Sequence, residues 1–100
     1  MITWIVASHD PAILAANAGP GLQQAVEAGD QLVVVQDAPS IAVAYRRGQA
    51  LADHPIRCYL HHDVRIRSVP ALRSALREAC TLDVGVVGVI GSTSRTLPWW

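Results

Sequence analysis

Short apolar runs alternate with amphipathic stretches along this chain, and the two patterns predict different elements. Ile2 to Ala7 is mostly β-branched and aromatic, which predicts a strand ending at Ser8-His9-Asp10. Asp10-Pro11 then makes a helix start, with an N-cap side chain followed by a proline in the first turn. That helix is expected over residues 11–18, with Gly19-Pro20-Gly21 as its break and another turn or two over residues 22–28. Leu32 to Val35 is uninterruptedly apolar between Asp30 and Asp37-Ala38-Pro39-Ser40, as in a strand buried on both faces. Ser40 can cap a helix on which Ile41, Ala44, Tyr45, Gly48, Leu51 and Ala52 recur at spacings of three and four. Arg57 to Val64 reads as a third strand, and Pro70 opens a helix with Val69, Leu72, Leu76, Ala79 and Cys80 on one face and Arg73, Arg77 and Glu78 outward. Val84 to Ile90 is the expected fourth strand.

Apolar strands alternating with helices predict an α/β fold: a mostly parallel sheet with helices on both faces, three layers deep. With 100 residues and 51% apolar composition, one domain over residues 1–100 can bury a core, though of modest size. Eight arginines balance eight acids with no basic block, which argues against nucleic-acid or lipid binding by bulk charge. No run approaches the roughly 18 apolar residues of a membrane helix. The amino terminus lacks the charged segment and cleavage site of a signal peptide, so a cytoplasmic location is expected. Cys58 and Cys80 show no paired spacing and read as buried, reduced core thiols. Trp99 and Trp100 end the sequence as large aromatics that need cover, from this domain, a missing segment or a partner.

The stretch Cys-Tyr-Leu-His-His-Asp-Val at residues 58–64 carries the clearest chemistry. In a parallel α/β sheet ligands bind beyond the carboxyl ends of the strands, so polar groups following each strand should gather at one edge. Ser8, His9 and Asp10, then Asp37, then His61 to Asp63 occupy those positions. Strand alternation puts His61 and Asp63 on one face and His62 on the other, as a packing residue. A carboxylate such as Asp63 suits Mg²⁺ shared with phosphate. A zinc hydrolase built on His9, His61, His62 and Asp63 lacks metalloprotease spacing, and Gly85, Gly88 and Gly91 do not form a dinucleotide fingerprint.

The run Gln-Asp-Ala-Pro-Ser-Ile-Ala-Val-Ala-Tyr-Arg-Arg-Gly at residues 36–48, with Tyr-Leu-His-His-Asp-Val, Val-Val-Gly-Val-Ile-Gly-Ser and the final Leu-Pro-Trp-Trp, resembles a bacterial glycosyltransferase-like family. This is the StrF-type family, related to the GT-A nucleotide-diphospho-sugar transferases, and the match of order and spacing runs nearly the length of the chain. The resemblance implies a partial GT-A domain and gives Asp63 the last position of an Asp-x-Asp motif, ligating Mg²⁺ or Mn²⁺ that bridges a donor diphosphate. His61 stands in place of the motif's first Asp, and imidazole suits hard Mg²⁺ poorly.

By position the resemblance also gives Ser8, His9, Asp10, Asp37 and His61 to the nucleotide-sugar donor, although Asp10 serves equally as a helix cap. Tyr45 and Gly48 match the segment crossing above the nucleotide, while Tyr45 also fits the helix core. Members of this kind are about twice as long, and the acceptor pocket and general base belong to the second half. The expectation is therefore a donor-binding half, weak or inactive in transfer alone, with a gap or exposed edge in its sheet. The competing reading is a non-catalytic interaction or oligomerisation domain that uses Trp99-Trp100 and an open sheet edge.

Overall fold

The computed structural model of the chain describes residues 1–81, so the expected fourth strand, the glycines within it and Trp99-Trp100 lie outside the described residues. Three strands, β1 (Ile2–Ser8), β2 (Gln31–Gln36) and β3 (Ile56–His61), form one parallel sheet in the order β2-β1-β3. Four helices join and cover them: α1 (Pro11–Ala16), α2 (Ala18–Ala25), α3 (Ile41–Leu51) and α4 (Val69–Thr81). The register sets Trp4 beside Leu32 and Cys58, and Ile5 beside Val33 and Tyr59, so each row of side chains shares a face.

Central position explains why all of β1 is buried. On one face Ile2, Trp4 and Val6, with Leu60, pack against Ala18, Leu22 and Ala25 of α2 and against Leu72 and Leu76 of α4. On the other face α3 lies over β1 and β2. A Cβ on Gly48 would collide with Ile5 Cγ2, so glycine lets α3 approach the sheet. Helices on both faces give the three-layer α/β architecture expected.

Several boundaries differ from the expectation, each for a physical reason. Gly19-Pro20-Gly21 does not break a helix but lies within α2; the break falls two residues earlier, at Asn17. Proline is tolerated there because it sits in the first turn, where backbone N–H groups have no intrahelical acceptor. Gly21 is needed because a Cβ would come within 2.6 Å of Ile66 Cβ.

β2 is half-buried on one side only, not on both. Its other row, Leu32, Val34 and Gln36, is exposed, because α2 and α4 are centred on β1 and β3. On α3 the buried line is Ala44 and Gly48, and Ile41 and Leu51 near its ends are exposed. On α4, Cys80 is exposed, in the last turn, and only Cys58 is partly buried. Arg73, expected to point outward, is turned inward over the Trp4 ring. No helix among the described residues is long and apolar enough to cross a membrane.

Candidate functional site at the carboxyl edge of the sheet

Parallel pairing brings the strand ends together. Ser8 pairs with Gln36 and Ala7 with His61, and the chain continues the ladder on both sides. The Asp37 amide donates to the Ser8 carbonyl at 3.0 Å, and the His62 amide donates to the Ala7 carbonyl at 3.0 Å. Ser8, His9, Asp10, Asp37, His61, His62 and Asp63 thus occupy one edge.

β3 stops at His61, three residues short of the expected end, and residues 62–63 form a turn closed by the Val64 amide on the His61 carbonyl at 3.2 Å. The turn, rather than strand alternation, brings His61 to Asp63. His61 Nδ1 donates to Asp63 Oδ1 at 2.7 Å, and this bond holds the exposed Asp63 carboxyl below the usual carboxylate range. His62 turns inward and is only 2% exposed. Ser8 Oγ donates to the Asp10 carbonyl at 3.3 Å and therefore accepts from His62 Nδ1 at 3.2 Å, which satisfies both buried groups. The His62 ring also meets His9 and His61, with centroids 4.5 and 4.4 Å away.

Three contacts fasten this turn to the α1/α2 junction. The Ala18 amide donates to the His62 carbonyl at 3.3 Å, Arg65 Nε donates to Asn17 Oδ1 at 2.9 Å, and Ile66 fills the space over Gly21. Neither Asn17 nor Arg65 stands in a motif, and their partnership spans 48 residues of sequence, so no periodicity reveals it.

Asp10 is an N-cap: its Oδ1 accepts from the Ala12 amide at 2.9 Å, which commits one carboxylate oxygen to α1. Asp37 is exposed at the end of β2 and has a φ of 56°, in the left-handed region, which Asp tolerates better than most residues. Tyr45 is half-buried and meets Tyr59 edge to face, with centroids 5.1 Å apart. Burial raises the Tyr45 phenol pKa, and the nearby Asp63 carboxylate adds to the rise. Burial alone pushes the Cys58 thiol up to about 11, which makes it an inert core thiol. Tyr59 was legible by alternation, two residues before His61 and on the same face.

Among the described residues no cluster of three or more His, Cys, Asp or Glu side chains is disposed to hold a metal ion alone. The Asp63 carboxylate has about four acceptor positions. It can therefore keep its bond to His61 and still offer an oxygen to a hard cation whose remaining ligands are phosphate and water. The donor set fits a metal that arrives with its phosphate ligand and does not fit a resident, protein-caged ion.

The open parallel sheet with helices on both faces is compatible with a partial GT-A, Rossmann-like α/β domain. The family model described as "Glycosyltransferase like family" matches residues 16–98, and the chain belongs to that family. The match contains Asp37, His61 and Asp63 but begins after Ser8, His9 and Asp10. No curated protein and no solved structure matches the chain.

Proposed function

We propose that this edge binds the diphosphate of a nucleotide-sugar donor through a divalent cation held by Asp63. The observation that carries the reading is the fastened turn at the end of β3, which fixes an ionised, exposed carboxylate at the ligand edge of a glycosyltransferase-like domain. Asp10, Asp37 and Asp63 make that edge acidic, so an anionic diphosphate needs a cation to approach it. Mg²⁺ or Mn²⁺ supplies the charge and, as a Lewis acid, stabilises the departing diphosphate. In this reading Asp37, at the end of β2, meets the donor's base or ribose, and His9 and His61 line the approach.

The reading is one of donor binding. Transfer further requires an acceptor hydroxyl held in line and deprotonated by a positioned base. Of the described acids, Glu27 and Asp30 stand at the opposite end of the sheet, tied to Arg73. Calorimetry with UDP or GDP, with and without Mn²⁺, tests the proposal. Binding should require the metal and weaken at least about tenfold in Asp63→Ala, roughly 1.4 kcal/mol. Equal affinity of wild type and variant, or binding indifferent to Mn²⁺, would refute it.

A further inference from the structure

Among the described residues no strand pairs with the outer edge of β2. The Asp37 amide faces β1, where it meets the Ser8 carbonyl. Main-chain groups alternate along a strand, so those of Val33 and Val35 face β1 too, whereas the N–H and C=O of Leu32, Val34 and Gln36 face outward. Natural sheet edges are usually blunted by lysine, proline, an inward charge or a bulge. Leu32 to Gln36 has none of these, and its ladder with β1 is unbroken. Leu32 and Val34 are also 47% and 37% exposed. Such an edge is completed by another extended, uncharged strand.

A second copy of β2 meets that requirement. Run antiparallel about a two-fold axis at Val34, the strands set Val34 opposite Val34, Leu32 opposite Gln36 and Val33 opposite Val35, each residue on the same face as its opposite. All three outward residues then pair, with about six main-chain hydrogen bonds. An axis at Val33 would set Gln36 against Asp30, whose amide is already given to the Glu27 carbonyl. An axis at Val35 would set Leu32 against Ala38, which lies past the left-handed Asp37 and off the strand.

The helical layers fit the same axis. Because α3 lies over β1 and β2, its two copies stand two strand spacings apart, about 10 Å, which matches the roughly 8–10 Å of packed helices. Tyr45 and Gln49 lean towards Tyr59 of β3, so the opposite flank of α3, with Val43 and Ala50, faces the axis. Arg47 on that flank is exposed and carries its guanidinium to water over an apolar stem. On the other sheet face, the α2 helices over the two β1 strands stand about 14 Å apart. With diameters of roughly 10–12 Å they leave only a narrow gap above Leu32 and Val34.

We propose that the outer edge of β2 binds a second copy of this chain, making one continuous sheet across a two-fold axis at Val34. The carboxyl edges of the two copies point in opposite directions, so the proposal is independent of the donor-site reading. About eight residues a side take part, against roughly 20–30 in a standard interface, which sets the affinity in the micromolar range.

Sedimentation velocity on the full chain, from about 1 to 300 µM, tests it and should show a monomer passing to a dimer. Val34→Lys sets two ammonium groups against each other at the axis and should weaken the dimer at least about tenfold, with the circular dichroism of the folded chain retained. Leu32→Lys should weaken it as well. Leu32→Lys combined with Gln36→Glu should recover about fivefold over Leu32→Lys alone, because each new cation then faces a new anion of the partner, and this gain cannot come from misfolding. A chain monomeric throughout, a dimer indifferent to Val34→Lys, or a double variant no tighter than Leu32→Lys would overturn the proposal.

Discussion

At the residue scale, the most heavily bonded side chain among the described residues is Asp30, far from the candidate site. Its Oδ1 accepts from the Ile2 amide at 2.9 Å, and its Oδ2 from the Glu27 amide at 3.0 Å, Trp4 Nε1 at 3.1 Å and Arg73 Nη2 at 3.2 Å. Arg73 Nε lies 2.8 Å from Glu27 Oε1, close enough for charge pairing but outside hydrogen-bonding geometry. Burial opposes ionisation of Asp30, yet these donors outweigh it and hold the carboxyl down to about 2, against an ordinary 3.8. Because the folded pKa is the lower one, the stabilisation is complete above about pH 4 and is lost as pH falls towards 2, on the order of 2 kcal/mol. Urea midpoints measured between pH 5 and 2 should fall in wild type and fall much less in Asp30→Asn, which starts lower. Asp37 gives a second expectation at this scale. With φ at 56°, Asp37→Ala should cost about 1 kcal/mol and Asp37→Gly almost nothing by thermal melting, while both weaken UDP binding if Asp37 meets the donor. Asp37 was legible from its place after an apolar run. The Asp30–Arg73 pair was not, because it joins residues 43 apart and the helical pattern assigned Arg73 to the outer face.

At the scale of elements, hydrophobic period and capping chemistry were enough to find all seven described elements, with α1 and α2 divided at a different residue. Ser40 caps α3 by accepting from the Val43 amide at 3.1 Å, and Asp10 caps α1, both as their sequence context predicts. What pattern could not supply was the position of each helix over the sheet. The spacing on α3 allowed Ile41 and Leu51 to be core residues, and the close approach at Gly48 decided otherwise by placing Ala44 and Gly48 against the strands. Gly48→Ala should therefore destabilise the fold by about 1–3 kcal/mol despite the better helix propensity of alanine, because Ile5 must move. A denaturation midpoint equal to or above that of wild type would show that α3 can slide. The end of β3 escaped prediction for a related reason: His62 is held by Ser8 and by the Ala7 carbonyl, contacts that long-range packing creates and local sequence does not encode.

For the molecule as a whole, the two polar centres lie at opposite ends of the sheet and share no residue. Asp30, Glu27 and Arg73 fasten α4 near the amino ends of the strands, whereas Asp63, His61 and Asp37 stand at the carboxyl edge. Changes in groups that are well separated and have no common partner should add within about half a kcal/mol. Arg73→Leu strips Asp30 of its buried cation and should lower the melting temperature by several degrees, since about 1 kcal/mol moves a domain of this size by roughly 4–8 °C. It should leave Mn²⁺-dependent UDP affinity within a factor of two. Asp63→Ala should do the reverse. Ligand linkage gives a further check, because a ligand that binds only the folded chain stabilises it by RT ln(1 + [L]/Kd) whatever the starting stability. Saturating Mn²⁺ and UDP should thus add the same increment of unfolding free energy to wild type and to Arg73→Leu, and an increment smaller by at least about 1.4 kcal/mol to Asp63→Ala. If Arg73→Leu instead abolishes binding while the folded state is still populated, α4 transmits its anchoring to the turn at residues 62–63, and the independence of the two ends is wrong.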